Sequence, residues 1–271
     1  MGQINQEERA MRAWNVLARI SENKQTITYS DLASEVGAGG PKACRYFLDL
    51  IQNYCMGNQL PPLTILAVRK GSQEPGKGFV AHDVNELDAG MQSVWSFDWV
   101  GNGNPFDFTQ AGETFKSLKR QLLDDPRNAE SVSSKVKNRG MRQILFRAAL
   151  MEAYAGKCAV TGLAFPDLLE ACHIVPWAEC SPAQQVDVRN GILMNRLHHR
   201  MFDRGYMTID DNYDVHIDQH QSREWGREQV RHAIAKDLNG SRLALPECKE
   251  HWPNPEFIAR HNEFWNWEIT G

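Results

Sequence analysis

LEACHIVPWAE (169–179) and VRNGILMNRLHHRMFDRG (188–205) are the stretches whose reading decides the fold of the C-terminal half. His173 follows a short apolar run and reads as a residue at a strand end. Asn190 comes seventeen residues later and His199 nine residues after that. His199, with His198 before it, stands at the start of a short helical run, HHRMFD. Asp203 stands four residues on, so the two share a helix face. A histidine and a carboxylate at that spacing can hold one divalent cation.

Working outward, the flanking text adds FRAALMEAYAGKCAVTGL (146–163) before these stretches and LALPE (243–247) after them. Taken together, residues 139–265 resemble the HNH endonucleases of the restriction-type subfamily. That resemblance implies a ββα-metal fold and hydrolysis of phosphodiester bonds. It implies that His173 is the general base, a role suited to a side chain whose unperturbed pKa of ~6.5 lies near working pH. It implies further that Asn190 holds the turn and orients the base, and that His199 is a metal ligand, with Asp203 as its companion. Mg²⁺ or Mn²⁺ is the divalent cation expected.

Two departures stand out. Many HNH proteins carry a metal-binding His or Asp just before the base, and here that residue is Cys172. Cysteine is a soft ligand that suits magnesium poorly, so it is left out of the expected metal site. Many relatives also carry two CxxC pairs around a zinc. The matching positions here are Cys158, Thr161, Asn195 and His198. Two of the four are poor ligands, so no structural zinc is expected and packing takes its place.

Upstream, residues 7–21 have helical periodicity, with Met11, Trp14, Val16, Leu17 and Ile20 near one face. Thr28 or Ser30 can cap a short helix over 31–36 that Gly37 ends, and Pro41 suits the start of the next helix. LPPLTILAVR (60–69) reads as a strand, and GSQEPGKGF (71–79) as a hairpin turn before another. Three helices and a hairpin outline a winged helix. The text of residues 10–80 is similar to the winged helix of the DNA alkyltransferases and alkyltransferase-like proteins. In that resemblance Tyr29 and Arg45 hold the positions that rotate a nucleotide out and fill the gap. The alkyl-accepting cysteine is missing from LPPLTI, which excludes alkyl transfer. The alternative is that Tyr29 is core and Arg45 an ordinary surface or phosphate contact.

The 271-residue chain has a net charge of −4, which argues mildly against nucleic acid. Its distribution argues the other way: between 116 and 147 nine Lys/Arg face three Asp/Glu, a local +6. Arg139, Arg142 and Arg147 in this stretch are candidate DNA contacts, and a solvated helix face plus linker is the plainer reading. GNGNPFDFTQA (101–111) reads as a domain boundary, 112–124 as a helix and 125–136 as loop. No apolar run is long enough for a membrane span, and no apolar leader opens the chain. The six cysteines follow no framework spacing and read as reduced thiols of a cytoplasmic protein.

The expected fold class is α+β. A winged-helix-like DNA-binding domain occupies 1–100, a linker with a basic helix 101–136, and a ββα-metal HNH nuclease domain 137–271. The expected function is a metal-dependent DNA endonuclease, a restriction or modification-dependent enzyme with an N-terminal reader. Its partner would be double-stranded DNA, modified or not, with a homodimer left open. The alternatives are a DNA-binding regulator with a vestigial HNH domain and a nonspecific nuclease toxin.

Overall fold

The computed structural model describes residues 5–218, 220 and 226–269. It divides into two compact units. One comprises residues up to 114 together with 136–141, and the other comprises 115–135 and the chain from 142 onward.

In the first unit, α1 (Gln6–Glu22) is capped by the Asn5 side chain, which accepts from the Glu7 and Glu8 amides. Of the two capping residues expected for α2 (Tyr29–Glu35), the chain uses Thr28, whose hydroxyl accepts from the Asp31 amide at 3.2 Å. A short 3₁₀ turn, Pro41–Ala43, leads into α3 (Cys44–Gly57). Trp14 is 1% exposed and makes edge-on contacts with Tyr54, Trp99 and Phe106 at 5.6, 5.4 and 6.5 Å. Edge-to-face packing of this kind adds about 0.5–1.5 kcal/mol per pair to the burial itself.

The expected strand and hairpin after α3 take another form. Pro61 and Pro62 have no amide to pair, and Leu63–Leu66 wind into a buried 3₁₀ turn. Only Ala67–Val68 (β2) are extended, and they pair parallel with Ile27–Thr28 (β1). No second strand follows among residues 69–86. Side chains hold this loop instead. The Gly76 amide donates to the Tyr29 hydroxyl at 2.8 Å, and the Gln52 amide group bonds Gly78 O and Val80 N. The three-helix order is present; the hairpin wing is not.

Residues 101–111, rich in Gly, Asn and Pro, fold into the first unit. Phe106 and Phe108 are buried, and Asn104 donates to Met11 O and Asn15 Oδ1 at 2.8 Å. After α4 (Leu87–Trp95) and α5 (Trp99–Asn102), the chain enters α6 (Phe115–Asp124). The loop expected over 125–136 is mostly helical. Asp125 caps a turn begun by Pro126, and α7 (Ala129–Lys135) buries Ala129, Val132 and Ser133.

The long helix α8 (Arg139–Ala153) precedes an antiparallel pair, β3 (Leu169–His173) and β4 (Gly191–Asn195), with His173 opposite Gly191. Helix α9 (Arg196–Phe202) follows β4 directly. Strand, strand and helix form the ββα element expected from the sequence. β5 (Met207–Ile209) and β6 (Val215–Ile217) make a second antiparallel pair, followed by the short α10 (Glu228–Arg231) and by α11 (Pro255–Phe264).

The four positions matching a zinc knuckle do come together, as a hydrogen-bonded cluster. The Asn195 amide donates to Cys158 Sγ at 3.2 Å, and its side-chain Nδ2 lies 2.8 Å from His198 Nδ1 and 3.4 Å from Thr161 Oγ1. Burial raises the Cys158 pKa, but bonds from His198 and Thr161 outweigh it and bring it to about 7.

Two outcomes test this description. Phe108→Ala should destabilise the protein by about 3–5 kcal/mol in chemical denaturation, the cost of a buried phenyl ring; a change below 1 kcal/mol would mean that 101–111 is not core. The zinc content of the isolated protein should not change in Cys158→Ala, because two of the four knuckle positions lack a good ligand; a chelator-resistant zinc present in wild type and lost in that variant would contradict this.

Candidate active site

His173 closes β3 in the second unit, its ring stacked on Phe146 of α8 with centroids 3.8 Å apart. Trp177 meets it edge-on at 5.1 Å. Its Nε2 lies 3.1 Å from the Gln185 carbonyl. A carbonyl only accepts, so Nε2 carries the proton and Nδ1 of the neutral ring keeps its lone pair. Burial pulls the His173 pKa below the ordinary imidazole value, and the bond to Gln185 only partly opposes this. The side chain is therefore neutral at physiological pH, the state a base requires.

The Gln185 carbonyl is itself held. Arg142 Nη1 donates to Gln185 Oε1 at 2.9 Å. Asn190, fully buried, donates from Nδ2 to Gln184 O at 2.9 Å and to Cys180 Sγ at 3.2 Å, while its Oδ1 accepts from the Val175 amide at 3.0 Å. The 174–187 loop is thus tied to the start of β4.

His199 projects from α9 into the cleft, whereas its neighbour His198 is 3% exposed and meets Asn195. His199 Nδ1 lies 2.7 Å from Glu170 Oε2, and Nε2 lies 3.3 Å from Asp203 Oδ2. Glu170 Oε1 also accepts from Arg196 Nε at 2.8 Å. Burial disfavours charge on His199, but Cys172 and the Asp203 carboxylate outweigh it and hold its pKa well above the usual range.

Ligand atoms of Cys172, His199 and Asp203 all lie within 4.8 Å of one another. This sulfur–nitrogen–oxygen set fits a divalent cation. It differs from the all-oxygen surroundings that magnesium and calcium favour and suits manganese or a later transition ion better. Cys172, left out on softness alone, stands beside the two residues expected to bind metal. Its thiol is fully buried, and burial pushes its pKa up despite the nearby His199.

His173, His199, Asp203 and Glu170 line one cleft of about 830 Å³, with Arg147 and Arg200 on its walls. Arg147 is engaged with backbone carbonyls: it donates to Leu169 O and, at 3.1 Å, to Pro166 O. Arg139 is exposed at the first residue of α8. Sequence reading missed Glu170, Gln185 and Arg200. Glu170 had a signal, since it shares a strand face with Cys172 by the two-residue alternation of β3. Gln185 acts through its backbone and left no signal.

Tyr29 and Arg45 line a separate cavity of about 450 Å³ within the first unit. Arg45 is exposed and lies 5.5 Å from the Tyr46 ring, also exposed. Burial raises the pKa of Tyr29, whose hydroxyl is engaged by Gly76. Thr64 lines this cavity, and its Oγ1 is buried without a hydrogen-bond partner.

No helix among the described residues is long and apolar enough to cross a membrane. No curated protein matches the chain. Residues 158–210, which span the β3–β4–α9 element and its cleft residues from Glu170 to Asp203, match the family model described as HNH endonuclease, and this supports nuclease activity for the segment.

Proposed function

We propose that the protein is a metal-dependent DNA endonuclease whose cleft holds a general base and a metal site side by side. The observation that carries this reading is the pairing of a neutral His173, its Nδ1 unprotonated, with the Cys172–His199–Asp203 donor set in one cleft. In this reading His173 Nδ1 takes a proton from the attacking water. Phe146 and Gln185 keep the ring from turning while it does so. Arg200, exposed on the cleft wall, attracts the phosphate. A cation held by His199 and Asp203, with Cys172 beside them, would neutralise charge on the phosphate and stabilise the leaving oxygen. Of Mg²⁺ and Mn²⁺, the donor set favours Mn²⁺.

The first unit is proposed as the DNA reader that sets target choice in a restriction or modification-dependent enzyme. Arg45, Tyr46 and Lys42 at the rim of its cavity supply a localised cationic and aromatic surface. Such a surface fits a segment that is not basic overall: residues 1–100 hold nine Lys/Arg against eleven Asp/Glu. In this reading the cavity beside Tyr29 receives a base drawn out of the duplex, a step that is least costly at a modified or mismatched pair.

His173→Ala should lower cleavage of plasmid DNA by roughly 10²–10⁴-fold and leave DNA binding within a few-fold, as expected for a group that moves a proton without holding substrate. Wild-type rates in that variant would remove His173 from the chemistry. On matched modified and unmodified duplexes, Arg45→Ala should reduce discrimination between substrates as well as affinity. A variant that keeps full discrimination would remove Arg45 from the reading surface, and an isolated HNH domain with the target preference of the whole protein would show that the first unit is not the reader.

A further inference from the structure

The candidate metal site has a feature that its three donor atoms do not include. His199 has two ring nitrogens, and only one can face a cation. Nε2 points to Asp203, four residues along the same helix, at 3.3 Å. Nδ1 points the other way, to Glu170 Oε2 at 2.7 Å. Glu170 sits on β3, two residues before Cys172 and therefore on the same strand face, towards α9. Its second oxygen is taken by Arg196 Nε at 2.8 Å. Both oxygens are thus taken by nitrogen donors, one of them a guanidinium, the arrangement of an ionised carboxylate.

We propose that Glu170 is the positioning residue for the metal-binding histidine. A carboxylate accepts but does not donate, so Glu170 requires a proton on His199 Nδ1. When the ring is neutral that proton stays on Nδ1, and the lone pair is left on Nε2, facing Cys172 and Asp203. The same bond fixes the ring plane and raises the basicity of the ligating nitrogen. Partners of this kind typically alter metal affinity or activity by 10–100-fold when removed. Arg196 clamps the other oxygen, so the carboxylate is oriented before any cation arrives. The chain thus runs Arg196, Glu170, His199, cation, and it joins the strand to the helix across the ββα element. The assignment rests on the metal-site reading above.

The test uses the full-length protein and Mn²⁺ titrations by calorimetry for wild type, Glu170→Gln, Glu170→Asp and His199→Ala. Gln is nearly isosteric and removes the charge, so Mn²⁺ affinity should fall 10–100-fold. Cleavage by this variant should recover to within several-fold of wild type at saturating Mn²⁺, which a general structural defect would not allow. Glu170→Asp, which keeps the charge, should fall between the two. His199→Ala should lose most binding. In wild type loaded with diamagnetic Zn²⁺, ¹⁵N NMR of the imidazoles should show a protonated His199 Nδ1, a readout that needs no variant to fold. Unchanged Mn²⁺ affinity in Glu170→Gln alongside a loss in His199→Ala would overturn the role of Glu170 alone, as would an unprotonated Nδ1. Unchanged binding in His199→Ala would overturn the metal-site reading itself.

Discussion

One buried amide holds the cleft in shape. Asn190 has no exposed surface, and its side chain meets three separate points of the 174–187 loop: Val175, Cys180 and Gln184. Its backbone carbonyl also receives the Ile174 amide at 2.9 Å. Stripping a buried donor or acceptor of its partner costs about 1–3 kcal/mol each, so the loop has little freedom to leave. The constraint reaches the chemistry through the next residue. With Gln184 fixed, the Gln185 carbonyl is presented to His173, and that carbonyl decides which ring nitrogen holds the proton. The partner strand tightens the arrangement further. A side chain at Gly191 would put its first carbon 2.5 Å from both Leu150 and Phe146, so α8 can pack closely enough to place Phe146 beneath the His173 ring.

The cleft was more legible from sequence than the first unit, for a physical reason. His173, Asn190, His199 and Asp203 are side chains at fixed spacings in or beside two strands and a helix, and regular elements convert spacing into position. Gln185 contributes a carbonyl that every residue has, so nothing in its identity marks it. Cys172 was set aside on the chemistry of one ion, yet strand alternation places it with Glu170 on the face towards α9. Arg142 and Arg147 drew attention as charge. The fold uses both as hydrogen-bond donors to its own loops, a use that composition does not distinguish from a phosphate contact.

The first unit shows how local signals mislead when tertiary packing overrides them. LPPLTILAVR has the β-branched content of a strand, but two prolines without amides turn its first half into a 3₁₀ segment. GNGNPFDFTQA has the composition of a linker, yet Phe106 packs against Trp14 and Phe108 is buried. Glycine and proline report where a chain bends. They do not report whether the bend is buried.

Asn195 sits where β4 becomes α9, and its Oδ1 accepts the His198 amide at 3.0 Å. Successive residues on a helix point about 100° apart. His198 and His199 are chemically identical neighbours, so their separate fates depend on the rotational phase at which the helix begins. The Asn195 cap sets that phase. It turns one imidazole inward to the Cys158 cluster and the next outward to the cleft, so one side chain both joins that cluster and sets the direction of His199.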